Sequence, residues 1–188
     1  MDQIKTSFKQ RFDISESDWE IFSSKLVKFQ YLKNHNLLKA GQIENYLSFV
    51  EKGIIRLFIP KEENDITFDF AFENDFVSGY SSFLTQTPSI YEMETLTDTI
   101  IWRLKFEDLQ TIYKETKIGN FIGRKAGEDL FLKKSKRELS LLNETAEQRY
   151  LNLFKDQPNL IRQIPLKYIA SYIGVTPQAL SRIRKRIS

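Results

Sequence analysis

The chain has 188 residues and no cysteine. That absence removes disulfides, thiolate zinc sites, cysteine-ligated iron–sulfur clusters and cysteine nucleophiles together. Histidine is almost missing too, with His35 alone, which argues against multi-histidine metal sites and histidine-based catalysis. No apolar run approaches the roughly 18 residues of a membrane span, and the opening stretch MDQIKTSFKQRF lacks a signal-peptide core. There is no phosphate-cradling glycine loop and no nucleophile–base pair. The expectation is a cytoplasmic protein with no metal, no cofactor, no membrane attachment and no enzymatic activity.

What is present is material for a core: 41% of the residues are apolar, among them 15 Phe, 8 Tyr and 2 Trp. The formal net charge of +3 conceals a split. Residues 1–109 hold 12 basic and 18 acidic side chains, a net −6, whereas residues 110–188 hold 16 and 7, a net +9. An acidic part joined to a basic part implies two jobs, the basic one compatible with a polyanion.

Residues 2–29 read as short helical pieces, with Ser15 as a cap and Trp19, Phe22, Leu26 and Phe29 at helical spacing. From about residue 30 to 105 the chain turns to short β-branched and aromatic runs: Tyr46 to Val50, Ile54 to Ile59, Ile66 to Phe72 and Thr99 to Leu104. Turn signals separate them, which points to a β-sandwich, barrel or roll. Glu62, Glu63 and Asp65 read as a solvated hairpin tip. From Phe106 the chain reads as helical: a short piece to Tyr113, a long helix from about Ile118 to Leu142, and another from the cap Thr145 to about Asp156. Pro158 and Pro165 bracket a connector.

The most specific signal lies between Ile164 and Arg186. Ile169 and Ile173 form the inner face of one short helix, Ala170 is small where a second helix must approach, and Gly174 suits a left-handed stop. Thr176 caps the next helix and Pro177 occupies its first turn. At about 100° per residue, Leu180, Ile183 and Ile187 share one side while Gln178, Ser181, Arg182 and Lys185 lie opposite. This is the pattern of a helix-turn-helix. Its outer side chains are chemically suited to a DNA groove, since Gln and Arg read base edges and Ser and Lys meet phosphates.

With these residues the chain resembles the Crp/Fnr family of bacterial transcription regulators. The resemblance rests on Leu166 to Arg186, the turn Lys39-Ala40-Gly41-Gln42, and the hairpin from Val50 to Arg56. It implies an α+β protein: a cyclic-nucleotide-binding-like double-stranded β-roll over residues 1–115, a dimerisation helix over 116–142, and an all-α helix-turn-helix domain over 143–188. The sequence given ends at Ser188, so the winged-helix wing is expected to be reduced. The resemblance implies base reading by Pro177, Gln178 and Arg182, and phosphate contacts by Thr176, Ser181 and Lys185. Pro177 replaces the commoner Arg, so the target sequence of better-known members does not transfer. The implied partners are double-stranded DNA, a second copy of the chain and RNA polymerase.

The sensor half fits the family less well. The stretch matching the family's phosphate cassette runs from Asn74 to Leu84 and on from Pro88 to Leu96. Gly79 stands near the place of the ribose-binding Glu, and Ser89-Ile90-Tyr91 near that of the phosphate-binding Arg. From Glu62 through Trp102 there are nine carboxylates and no Lys, Arg or His, so a phosphate there would meet like charge. The expectation is that cyclic AMP is not the effector, whose identity is unknown. A candidate pocket is formed by Gly79, Tyr80, Ser81, Ser82 and Tyr91, with ordinary packing of a β-roll as the competing account.

The long helix carries Gly119, Gly123 and Gly127 at intervals of four, at a cost of about 1 kcal/mol each relative to Ala. Ile118, Phe121 and Ile122 lie on another side from these glycines and Leu130. The stripe has two readings: a close-packed dimer seam made from Ile118, Phe121, Ile122, Gly123, Gly127 and Leu130, or a hinge where the helix breaks. The function expected is that of a homodimeric, sequence-specific transcription regulator. The alternative is a small-molecule-binding or scaffolding protein whose helix-turn-helix makes protein contacts.

Overall fold

The computed structural model describes residues 2–187. They form two compact units, one of residues 1–58 and 69–126, the other of residues 59–68 and 127–188.

The first unit opens with α1 (Asp2–Phe12) and α2 (Glu16–Ser24). Ser15 caps α2 by accepting from the Asp18 N–H at 3.1 Å, as its sequence position predicts. The helical reading of Phe29 does not hold: α2 stops at Ser24, and Phe29 lies on the strand β1 (Val27–Tyr31). A helical spacing of apolar residues runs on into a strand whose alternate residues Val27, Phe29 and Tyr31 are β-branched or aromatic.

The strands that follow are β2 (Asn36–Leu38), β3 (Tyr46–Lys52), β4 (Ile55–Ile59), β5 (Ile66–Ala71), β6 (Phe76–Val77), β7 (Glu92–Thr95) and β8 (Thr99–Lys105), with the short α3 (Tyr80–Thr85) between β6 and β7. They make two four-stranded sheets, ordered β1-β8-β3-β6 and β2-β7-β4-β5. Register is antiparallel, with Val27 opposite Arg103, Leu47 opposite Leu104, and Leu57 opposite Met93. The expected β-roll is therefore present, with each of the four predicted runs on a strand. The turn between β3 and β4 needs Gly53: its φ is +108°, and a Cβ there would lie 2.5 Å from the Thr99 Oγ1. Phe8, Trp19, Phe22, Phe49, Phe83 and Leu104 share one core, and α4 (Phe106–Glu115) adds Leu109 and Ile112 to it.

The long helix α5 runs unbroken from Gly119 to Asn143. The second unit continues with α6 (Ala146–Asp156), α7 (Pro158–Gln163), α8 (Leu166–Tyr172) and α9 (Pro177–Ile187). Thr145 and Gln148 form a reciprocal capping box on α6. The connector expected between Pro158 and Pro165 is itself a helix, because Pro158 sits at its first turn, where a missing N–H is harmless. Tyr150, Leu153, Leu160, Ile164, Ile169, Tyr172, Ile173, Leu180 and Ile183 are among this unit's buried apolar side chains, with Ala170 buried among the helices.

The tip of the β4–β5 hairpin belongs to this second unit. Glu62 and Glu63 are exposed, as expected of a solvated tip. The strand beyond it is held: the Thr67 N–H donates to the Ser171 Oγ at 2.8 Å, and that hydroxyl donates to the Asp65 carbonyl at 2.6 Å.

Candidate functional site

The helix pair α8–α9 is built as the sequence pattern predicts. Gly174 has φ +77° and ends α8, with the Val175 N–H donating back to the Ala170 carbonyl at 2.9 Å. Thr176 then caps α9: its Oγ1 accepts from the Ala179 N–H at 3.2 Å. Ile169, Ala170, Ile173, Leu180 and Ile183 are buried between the helices. Thr176, Pro177, Gln178, Ser181, Arg182 and Lys185 are all exposed. Among the described residues neither Arg182 nor Lys185 is in an ion pair, so both charges face solvent.

Two arginines that carried no sequence signal hold this pair in place. The Arg137 guanidinium donates to the Tyr172 carbonyl at 2.7 Å and stacks 3.9 Å from the Tyr172 ring. The Arg149 Nε donates to the Ile173 carbonyl at 2.8 Å. They satisfy carbonyls at the end of α8, which a helix terminus leaves open. The basic excess of this part of the chain is thus not all available to a polyanion: Arg137 and Arg149 are turned inward, Lys136 pairs with Asp156, and Arg186 pairs with Glu147.

The five residues expected to line an effector pocket differ in exposure: Gly79 and Ser82 are buried, Tyr80 and Tyr91 half-buried, and Ser81 exposed. Gly79 is buried, and a Cβ there would lie 2.4 Å from a Leu38 methyl and 3.2 Å from the Glu44 Cβ. The Ser82 Oγ accepts from the Glu44 N–H at 3.0 Å and donates to the Thr87 carbonyl. Tyr80 packs against the core beside Phe83. Only Ser81 and Tyr91 face outward together, their hydroxyls 3.4 Å apart. Ser89 is taken up by backbone pairing: its N–H donates to the Gln42 carbonyl and its carbonyl accepts from Gly41.

The charge count along residues 62–102 also needs correction, because strand pairing supplies cations from outside that stretch. Arg56 on β4 reaches Glu94 on β7 at 2.8 Å. Arg103 on β8 reaches Glu44 at 3.3 Å, and both are buried, at 9% and 2% exposure. The Arg103 guanidinium also lies 4.0 Å from the Tyr46 ring. Burial pushes the Glu44 carboxyl above the ordinary glutamate range, against the pull of Arg103 and the backbone N–H groups of Tyr46, Gly79 and Asn45.

Two of the three glycines of α5 meet residues of their own unit, and the hinge reading fails. The helix does not break. Gly119 lies against Ile112 and Thr116, Gly123 lies against Tyr113, and Gly127 faces open space. Ile118 precedes the helix, and with Ile122 it packs on the core of its own unit. Leu130 is half-buried. A different face of α5 is bare in the single chain: Phe121, Leu132 and Leu139 fall within about 20° of one direction, and Phe131 and Leu142 about 80° from them. Phe131 and Leu142 are 70% and 74% exposed.

The chain thus runs from a two-sheet β-roll through a long helix to the tightly turned helix pair α8–α9. Residues 28–116 match the family of cyclic nucleotide-binding domains, and the fold is that of Crp/Fnr regulators. A Crp/Fnr-family protein from Eubacterium rectale superposes with a TM-score of 0.73 at 17% identity, over 97% of this chain and 87% of that one. CooA from Carboxydothermus hydrogenoformans gives 0.72 at 15% identity, over 94% and 81%. The c-di-GMP-responsive regulator CLP of Xanthomonas campestris gives 0.70 at 15%, over 92% and 91%. No curated protein matches the chain. The resemblance to the Crp/Fnr family read from the sequence therefore stands, and at these identities the solved structures speak to the fold. No helix among the described residues is long and apolar enough to cross a membrane.

Proposed function

We propose that the chain is a sequence-specific, DNA-binding transcription regulator of the Crp/Fnr type that acts as a homodimer on a pseudo-palindromic operator. The observation that carries this reading is the outer face of α9. Pro177, Gln178, Ser181, Arg182 and Lys185 are exposed beside a buried Leu180–Ile183 seam, and the helix contains no acidic residue. In this reading Gln178 and Arg182 read base edges, Pro177 contacts a base, and Thr176, Ser181 and Lys185 meet phosphates.

The bare apolar face of α5 supports the dimer. Five large apolar side chains on one helix face would be costly in water unless a second copy covers them. Phe121 stays in the proposed seam, joined by Phe131, Leu132, Leu139 and Leu142, whereas Ile118, Ile122 and Gly123 turn toward their own unit. RNA polymerase is the partner proposed for the DNA-bound dimer.

Cyclic AMP is not its effector in this reading. From Glu62 through Trp102 there are nine carboxylates and no basic residue, and Arg56 and Arg103 from the adjoining strands are paired with Glu94 and Glu44. That solved relatives include a c-di-GMP-responsive regulator is consistent with an effector other than cyclic AMP on this fold.

The test is selection of bound sequences from genomic DNA by the full-length protein, with and without cell extract. The expected result is an inverted repeat with half-sites about one helical turn apart. No enriched sequence under either condition would sink the reading.

A further inference from the structure

Consecutive carbonyls at the end of α8 are taken by two arginines from different helices. The Arg137 guanidinium, on α5, donates to the Tyr172 carbonyl at 2.7 Å and lies 3.9 Å from the Tyr172 ring. The Arg149 Nε, on α6, donates to the next carbonyl, that of Ile173, at 2.8 Å. Its Nη1 donates to the Glu144 carbonyl, just past the end of α5. Both arginines are half-buried, and among the described residues neither is in an ion pair, so their charges are spent on main-chain oxygens. Gly174, the following residue, faces the same helix and the same arginine: a Cβ there would lie 3.7 Å from a Leu141 methyl and 3.8 Å from the Arg149 Nη2. The turn between α8 and α9 is thereby tied to about the last two turns of α5. Arg137 and Leu141 each lie about 160° around α5 from Leu139. Leu132 and Leu139 are 62% and 56% exposed and belong to the apolar face. One side of this stretch of α5 thus carries the apolar face, and the other holds the turn that leads into α9.

We infer that Arg137 and Arg149 are positioning residues for DNA recognition, which lock α9 to α5 and so set the spacing of the two half-sites without touching DNA. The inference rests on the reading of the chain as a DNA-binding homodimer. In a dimer joined through α5, the two recognition helices are only as well placed as each is fixed to its own α5. Apolar packing between helices tolerates small sliding motions. Two charge-assisted hydrogen bonds to adjacent carbonyls fix register and direction. Moving a half-site by one base pair shifts it about 3.4 Å and turns it roughly 35°, so a rigid joint has one good spacing and a loose joint has several.

The full-length protein is compared as wild type, Arg137→Met and Arg149→Met. Each is titrated with the operator that wild type selects, and with copies whose half-sites stand one base pair closer or further apart. Wild type should bind the altered spacings about tenfold or more weakly, and each variant should discriminate by less than about threefold. The selected half-site and the salt slope should be unchanged, since no base or phosphate contact is removed. A variant that keeps the wild-type preference for spacing overturns the inference and leaves the DNA reading standing. So does a variant that loses affinity equally at every spacing with a salt slope lower by about one, which is the behaviour of a phosphate contact. No selected sequence, or a single unrepeated half-site, sinks the homodimeric reading and this inference with it. Should a methionine variant not fold, the polar Arg137→Gln takes its place, too short to make the same contact, and its discrimination between spacings is read in the same way.

Discussion

A Cβ at Gly123 would lie 2.6 Å from the Tyr113 hydroxyl oxygen and 2.8 Å from its ring. The glycine is there for a neighbour ten residues earlier in the chain, on α4, and the burial of that phenol holds its pKa above the ordinary tyrosine value. Gly127, four residues further along the same helix, meets nothing within 4 Å.

The two glycines should therefore respond oppositely to the same substitution. Gly123→Ala should destabilise the protein by about 1–3 kcal/mol, because a rigid ring must move. Gly127→Ala should stabilise it by about 0.5–1 kcal/mol through helix propensity. Urea midpoints of the two variants check this. Equal and opposite signs to those expected would place the crowding at Gly127.

The association state should depend on the Phe and Leu face of α5. Glutamate at Leu132 and Leu139 together should shift the dimer to monomer in light scattering, because charge would be buried in the seam. Gly127→Ala should leave the dimer intact. A dimer that survives the double change would place the seam elsewhere.

On α9, Arg182→Ala should cost about 1–3 kcal/mol on the selected operator and little on random DNA. Lys185→Ala should weaken both alike and reduce the salt slope by about one. Titrations at several salt concentrations separate the two, and equal losses on both DNAs for Arg182→Ala would remove its base-reading role.

Glu44 makes a prediction about pH. Its pKa is raised in the folded state, so the native protein binds that proton more tightly than the unfolded chain. The associated stability is fully present below the ordinary glutamate range and is lost as pH rises through the raised value. Glu44→Gln should therefore unfold at an equal or higher urea concentration than wild type at neutral pH, and the difference should vanish on acidification. Urea midpoints measured from about pH 4 to 8 test it. A marked loss of stability in Glu44→Gln at neutral pH would show that the ion pair outweighs its desolvation.

Much of the fold was legible because its signals are local. The Ser15 and Thr145 caps, the Gly174 stop, the Pro177 start and the alternation of Leu180 and Ile183 with exposed polar residues are all settled within one or two turns of chain. The short strands β2, β6 and β7 and the helix α3 were not read from periodicity, since elements of two to six residues show too little of a period.

What the sequence determined by itself is therefore the order of a β-rich part, a long helix and an all-α part, the division into an acidic and a basic part, and the polar and apolar faces of α9. These follow from backbone preference and side-chain chemistry at short range. Only the tertiary structure decided which charges stay free and which glycines are crowded. Arg56 and Glu94 are 38 residues apart, Arg137 and Tyr172 are 35, and Glu44 and Arg103 are 59. Such pairs form where strand register and helix packing bring them within hydrogen-bond range, and buried charge is tolerated only where it finds a partner.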